Sequence, residues 1–203
     1  PGCTVRGPVI TEAIVLAAGE TRRMGRPKMS LPFGSSTVIE TVLGTLKRAG
    51  VARIVVVLGG NRQSLGATVE RAGALAVMNP RPEEGMLSSI KCGLAHLSLR
   101  ADAFLVVPGD HPAFTAETIA RLERAAEASA RSFFVPVCGG RRGHPLLVRS
   151  AARATILALS PETGLNSLLR ANPADVGEAP VDDVGILVDL DTPEDYEEAA
   201  GRP

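Results

Sequence analysis

Apolar residues in this chain recur at two spacings, and the two spacings alternate. Residues 11–16 (TEAIVL) and 103–107 (AFLVV) are short apolar runs, and 53–58 (RIVVVL) is almost unbroken, as in strands covered on both faces. Between these runs the spacing lengthens to three and four. In 36–49, Val38, Val42, Leu43 and Leu46 form one stripe that stops at Gly50, suited to the C′ position of a helix. In 115–128, Ala116, Ile119, Leu122 and Ala126 form another. Further patterns predict helices over 61–72 and 86–99 and short strands over 75–78, 146–148 and 186–188. Strands alternating with helices predict an α/β fold, a three-layer, doubly wound and mostly parallel sheet. Ligands of such sheets lie beyond the carboxyl ends of the strands, so the loops there are where chemistry is expected.

Composition narrows the field without naming a function. The 203 residues are 45% hydrophobic and carry no internal repeat, low-complexity tract or linker, which predicts one domain over 1–203. Lysine plus arginine equals aspartate plus glutamate at 22 each, and aromatic residues make up only 3%. A balanced charge and few stacking surfaces argue against nucleic acid or an anionic membrane as partner. Cys3, Cys92 and Cys138 show no CxxC or Cys/His ligand spacing and read as reduced spectator thiols. No apolar run approaches the ~20 residues of a membrane span. The first residues also lack the regions of a signal peptide, so a cytoplasmic location is expected, although the chain opens on Pro-Gly without Met.

The loop behind the first strand carries the strongest chemical signal. In Leu16 to Lys28 (LAAGETRRMGRPK), Ala17, Ala18 and Gly19 leave no bulky side chain where the chain turns, so a ligand can reach backbone N–H groups. Arg22, Arg23 and Lys28 then place three cations within reach of that turn, and arginine matches phosphate oxygens bidentately. Two common phosphate loops are excluded. Gly19 and Gly25 are separated by five residues and followed by Arg26-Pro27, which is not a P-loop; Thr21 and Met24 break the dinucleotide fingerprint GxGxxG. Without that fingerprint a dehydrogenase reading is disfavoured.

Two acidic segments follow. In Val106-Val107-Pro108-Gly109-Asp110-His111-Pro112 an apolar strand ends, a turn forms and Asp110 is delivered at the carboxyl edge. Magnesium takes a few hard oxygen ligands and completes its shell with water and phosphate, so Asp110 is the leading candidate metal ligand. Near the end, Thr192 suits an N-cap, Pro193 the N1 position and Asp195 the acid of a capping box. That local chemistry needs neither Asp189 nor Asp191, which would share a face if the short strand continued. Asn79 to Ile90 (NPRPEEGMLSSI) places Gly85 before a helix whose first turn, with Ser88 and Ser89, offers N–H groups and hydroxyls to a polar heterocycle or anion. Gly139 to Pro145 is a glycine-rich basic turn in which Arg141 and Arg142 read equally well as ligand contacts or as a solvated tip.

LAAGETRRMGRPK resembles the signature loop of the sugar-nucleotide and cofactor nucleotidyltransferases, LAAG-x-x-x-RMG-x-x-K. With NPRPEEGMLSSI, PGDHP and GHP following in order, the chain resembles the MobA-like branch that attaches CMP or GMP to the molybdenum cofactor, and its cytidylyltransferase members most. The resemblance implies a Rossmann-like nucleotidyltransferase fold, Mg2+ as cofactor and attack of an acceptor phosphate on the α-phosphorus of a nucleoside triphosphate. It implies Arg23 at the β- and γ-phosphates, Lys28 at the α-phosphate, and Leu16, Ala17, Ala18 and Gly19 around the phosphates. Asn79, Gly85, Ser88 and Ser89 would line the nucleotide pocket, Asp110 and Asp191 would hold the metal with Asp189 as the competing acid, and His144 would face the acceptor.

CTP is favoured over GTP, because the cytidylyltransferases tend to read AAG where the guanylyltransferases read AGG, and the Ala18 methyl would crowd a purine. Molybdopterin as acceptor and a molybdoenzyme client rest on the resemblance alone, and sugar-phosphate or isoprenoid acceptors stay open. A nucleotide-binding insertion chaperone without turnover is the alternative of another class, disfavoured because a passive binder would not need both acids.

Overall fold

The computed structural model describes residues 9–19, 28–161 and 163–201. Arg22, Arg23 and Gly25 of the signature loop, and Cys3, lie outside these residues. The strand β1 (Thr11–Ala17) leads through a 3-10 turn at Lys28–Ser30 into a small antiparallel hairpin, β2 (Pro32–Phe33) with β3 (Ser36–Thr37). The helix α1 (Val38–Arg48) follows, then β4 (Arg53–Leu58), α2 (Arg62–Arg71), β5 (Leu75–Met78) and, after a 3-10 turn at Pro82–Glu84, α3 (Met86–Leu94). The second half adds β6 (Ala103–Pro108), α4 (Ala116–Glu127), β7 (Phe133–Cys138), β8 (Arg141–Arg142) and β9 (Leu146–Arg149). It closes with α5 (Arg153–Ala158), α6 (Gly164–Ala171), β10 (Val176–Pro180) and α7 (Pro193–Ala200).

Seven strands form one path in the order β10-β7-β9-β6-β1-β4-β5, and β8 pairs with β7 alongside it. The pairs β1 with β4, β1 with β6, β4 with β5 and β7 with β10 are parallel; β9 runs antiparallel between β6 and β7. Alternate side chains of each strand enter opposite layers. Ala13, Val15, Val56, Leu105 and Val107 pack with α1, α2, α4 and α7, whereas Ile14, Val55, Val57 and Val106 pack with α3, α5 and α6. This is the three-layer, mostly parallel architecture expected from the alternating spacings.

Local chemistry sets several boundaries. Thr37 caps α1 in a capping box with Glu40, so the helix starts two residues later than the apolar stripe suggested, and Gly50 follows the C-cap with φ +79°. The helix expected over 86–99 stops at Leu94. Leu97 turns back into the core at 6% exposure and the Ser98 N–H is captured by the Glu12 carboxylate at 2.8 Å, contacts that no helix continuation could make. The strand expected over 186–188 is instead a 3-10 turn, Val184–Leu187. Asp183 accepts hydrogen bonds from the Gly185 N–H (3.0 Å) and from Thr115 and Thr118, and a Cβ at Gly185 would lie 2.1 Å from the Ala113 carbonyl oxygen. The segment is thus pinned to the start of α4 as a tight turn, and Asp189 and Asp191 do not share a strand face.

Candidate active site

The site is assembled by three loops at the carboxyl ends of β1, β4 and β6. The Ala17 carbonyl accepts from Asn61 Nδ2 at 2.7 Å, and Asn61 Oδ1 accepts from the Gly59 N–H at 3.0 Å. A Cβ at Gly59 would lie 2.7 Å from the Ala18 oxygen, so the turn after β4 braces the turn after β1 only because it is glycine. On the other side the Gly109 N–H donates to the Leu16 carbonyl at 2.9 Å, which sets Asp110 beside the first loop. The Leu190 N–H donates to the Asp110 carbonyl at 3.1 Å, and this carries the following residue, Asp191, to the same place.

Three charged side chains meet there. Lys28 Nζ lies 2.6 Å from Asp110 Oδ2 and 3.1 Å from Asp191 Oδ1. Burial alone would lower the Lys28 pKa, but the hydrogen bond and charge of Asp110, and then those of Asp191, outweigh it and hold the ammonium above its ordinary range. Asp189 is exposed, and the carboxylate that reaches Lys28 is that of Asp191. Two carboxylate oxygens aimed at one point are a hard donor pair. Among the described residues no cluster of three or more His, Cys, Asp or Glu could hold a metal ion. A pair without a third protein ligand fits a magnesium-type cation that completes its shell with phosphate and water.

Lys28 and Asp110 line one of two adjoining clefts. The smaller, of about 290 Å³, is lined by Leu16, Ala18, Gly19, Gly85 and Ser89 together with Lys28 and Asp110. The larger, of about 590 Å³, has an apolar floor that includes Ile90, Val106, Val135 and Leu146, and α6 forms a wall. The two share Leu16, Gly85, Met86 and Pro108, so a ligand in one abuts a ligand in the other.

Of the remaining expected residues, His144 lines the larger cleft, whereas Ala17, Asn79 and Ser88 line neither. Asn79, only 3% exposed, donates to Ser88 Oγ (2.8 Å) and Ser89 Oγ (3.0 Å) and accepts from the Arg81 N–H (3.0 Å). Ser88 Oγ in turn donates within the Gly85 turn. Asn79 and Ser88 therefore hold the Arg81 to Gly85 loop in shape from behind, which lets Gly85, at φ +88°, present its backbone to the smaller cleft. The arginines of the glycine-rich turn form the short strand β8, and Arg142 pairs with Glu178 at 2.9 Å at the edge of the larger cleft.

His111 and His144 meet edge to face with ring centroids 4.8 Å apart, and the Nδ1 atom of each is buried with no hydrogen-bond partner among the described residues. Burial, and secondarily the neighbouring His111, pushes the His144 pKa down to about 4; burial also lowers that of His111 against the pull of Asp110 and the other nearby carboxylates. His144 is thus a neutral imidazole at physiological pH, a hydrogen-bonding group and not a cation. Sequence reasoning missed the brace at Gly59 and Asn61 and the wall from α6. A glycine pair after the strongest apolar run was the available signal for the first; nothing in the pattern marked the second.

A mostly parallel sheet with two adjoining clefts at its carboxyl edge, one of them beside a Lys-Asp-Asp cluster, suits a nucleotidyltransferase. The chain belongs to the MobA-like NTP transferase domain family, which matches it over residues 13–176. It is 31% identical over 195 residues to a nicotine blue oxidoreductase of Paenarthrobacter nicotinovorans, with 92% of this chain and 94% of that one covered. It is 24% identical over 192 residues to the molybdenum cofactor cytidylyltransferase of Escherichia coli K12, with 94% and 96% covered. Among solved structures, Rv0371c of Mycobacterium tuberculosis matches with a TM-score of 0.83 and 26% identity over 97% of this chain and 100% of that one. A structure of Rv0371c in complex with manganese matches at 0.81 and 25%, over 96% of this chain and 100% of that one. No helix among the described residues is long and apolar enough to cross a membrane.

Proposed function

We propose that this protein transfers a nucleoside monophosphate, CMP in preference to GMP, from a nucleoside triphosphate to a phosphate-bearing acceptor, with molybdenum cofactor the first candidate, and releases pyrophosphate. The observation that carries this reading is the placement of Lys28 between Asp110 and Asp191, with Lys28 and Asp110 lining the smaller cleft, which shares Leu16 and Pro108 with the larger. An acceptor phosphate oxygen attacks the α-phosphorus, the new P–O bond forms, and the bond to the β-phosphate oxygen breaks with its electron pair leaving on pyrophosphate. Lys28 neutralises charge growing on the α-phosphate oxygens, and Arg23 is assigned to the β- and γ-phosphates. Asp110 and Asp191 would hold Mg2+, which lowers the charge on the phosphates when bound; the manganese complex of Rv0371c supports a divalent cation. No covalent nucleophile is required, because positioning and charge neutralisation dominate such transfers.

The acceptor assignment draws on the larger cleft. Its floor of Ile90, Val106, Val135 and Leu146 suits the face of a flat ring system, and Arg142, His144, Asn166 and Ser167 in its lining can hydrogen-bond the edge of that ring and a phosphate. The neutral imidazole of His144 is placed to hydrogen-bond that ring system. Ala18 in the smaller cleft, with its methyl group, supports a pyrimidine over a purine. The test is pyrophosphate release from the purified protein with Mg2+ and CTP, GTP, ATP or UTP, with and without molybdenum cofactor. Release with CTP only when cofactor is present is the expected result; release with another acceptor reassigns the cleft, and nucleotide binding with no release favours the chaperone alternative.

A second reading comes from the relative named nicotine blue oxidoreductase. An oxidoreduction in the larger cleft would give the Lys28, Asp110 and Asp191 cluster no role. Oxidation of NADH or NADPH in the presence of nicotine blue would favour it over nucleotidyl transfer.

A further inference from the structure

Tyr196, the only tyrosine of the chain, donates its hydroxyl to the Pro32 carbonyl at 2.6 Å, a contact between residues 164 positions apart. The two segments it joins are those that carry Lys28 and Asp191. Lys28 opens the 3-10 turn that runs through Leu31 into β2 at Pro32, with the Leu31 N–H donating to the Lys28 carbonyl. Asp191 precedes Thr192, whose capping box with Asp195 locks the first turn of α7, and the Tyr196 N–H donates to the Thr192 carbonyl.

The three charged groups of the site are not held together in the same way. Asp110 and Asp191 are fixed relative to each other by the Leu190 N–H on the Asp110 carbonyl, with Leu190 fully buried. Lys28 and Asp191 are joined by their own ion pair and, further out, by Tyr196 on Pro32. Asp110 and Asp191 would hold a divalent cation through the carboxylate oxygens that Lys28 now occupies, and Lys28 would then turn to phosphate. The ion pair then no longer measures the distance between its two segments. Packing of Leu31, Phe33 and Tyr196 against the core presses them together but lets them slide, whereas a hydrogen bond fixes a register.

We propose that Tyr196 is a positioning residue whose hydroxyl sets the spacing of Lys28 and Asp191 in the cation-loaded site. This rests on the reading of Asp110 and Asp191 as cation ligands. The test compares the full chain, Tyr196→Phe and Asp191→Asn by titration with Mn2+ alone, read by the electron paramagnetic resonance of free Mn2+, alongside thermal melts without metal and turnover with CTP and acceptor. Because the Leu190 N–H fixes Asp110 and Asp191 to each other, Tyr196→Phe binds Mn2+ within about twofold of the parent, whereas Asp191→Asn binds it more weakly. The metal-free melting temperature of Tyr196→Phe stays within about 2 °C of the parent, since an exposed bond contributes little to stability. With CTP and acceptor, loss of one neutral hydrogen bond lowers its kcat about three- to tenfold while KM for CTP stays within about twofold. Unchanged kcat in Tyr196→Phe, with Mn2+ binding weakened in Asp191→Asn, overturns the role of Tyr196 and leaves the cation site standing. A metal-free melting temperature lowered in step with kcat makes Tyr196 merely structural and also overturns it. Parent and Asp191→Asn alike in failing to bind Mn2+ overturn the cation site and this inference together.

Discussion

The nucleotide side and the acceptor side of the molecule are built by different rules. On the nucleotide side β1, β4 and β6 are parallel neighbours, and each delivers a loop straight from its carboxyl end: Ala18-Gly19, Gly59-Asn61 and Gly109-Asp110. On the acceptor side β9 runs antiparallel to β6 and β7, and the cleft is closed by α6, which arrives from after β9. The first side concentrates charge at one point; the second spreads apolar surface over a large floor. The difference teaches that, on the proposed assignment of the clefts, phosphate chemistry falls to short-range loop geometry and acceptor choice to the packing of elements far apart in the chain.

Four substitutions sharpen or break that contrast. Lys28→Ala should lower the rate of pyrophosphate release roughly a hundred- to a thousandfold, about 3 to 4 kcal/mol, with the circular dichroism spectrum unchanged; near-normal turnover would remove Lys28 from the chemistry. On the boundary between the sides, His144 ties stability to pH. Its folded pKa of about 4 lies below its unfolded value near 6.5, so the unfolded chain binds more protons between those pH values and stability falls as pH drops through that window. Relative to His144→Gln, the parent should lose up to about 3 kcal/mol between pH 6.5 and 4, read by denaturant unfolding without metal. A parallel pH dependence of the two proteins would show that His144 stays solvated.

Asn79→Ala strips two hydroxyls and one N–H of a buried partner behind the nucleotide cleft. It should cost about 2 kcal/mol in unfolding free energy and raise KM for CTP, with KM for the acceptor less affected. Equal effects on both KM values would mean that the Gly85 turn serves both clefts alike. The smallest expected effect lies on the acceptor side: Ser167→Trp on the exposed face of α6 that lines the larger cleft should raise acceptor KM roughly tenfold, about 1.4 kcal/mol, and leave KM for CTP within about twofold. If CTP binding fell instead, the assignment of the two clefts would be reversed.

Legibility in the sequence followed the same divide. The bounds 53–58 and 75–78 coincide with β4 and β5; β4 is covered on both faces and writes nearly its whole length in apolar residues, and the edge strand β5 is apolar throughout although Leu75 and Met78 are exposed. The caps at Thr192, Pro193 and Asp195 were also readable, since a capping box is local chemistry. Neither β7, β10, α5 nor α6 was anticipated. Gly177 and Glu178 interrupt the apolar run of β10, and α6 has one buried residue, Leu165, so its apolar stripe answers to a cleft more than to a core. Asn79 and Ser88 lie behind the Gly85 turn and line neither cleft; residue type alone does not reveal whether a polar side chain faces a ligand or a neighbour.

Residue order alone therefore predicted the alternating α/β architecture that the structure shows, and singled out the first loop and the acids as candidates, because periodicity, turn residues and caps act over a few positions. Only the folded chain decided that Asp191 and not Asp189 meets Lys28, that Asn79 stands behind the pocket, and that an apolar cleft adjoins the nucleotide site. Those outcomes depend on hydrogen bonds between residues far apart in sequence, such as Leu190 on Asp110 and Asn61 on Ala17, and on side chains from several elements sharing one space. No spacing along a single segment records them.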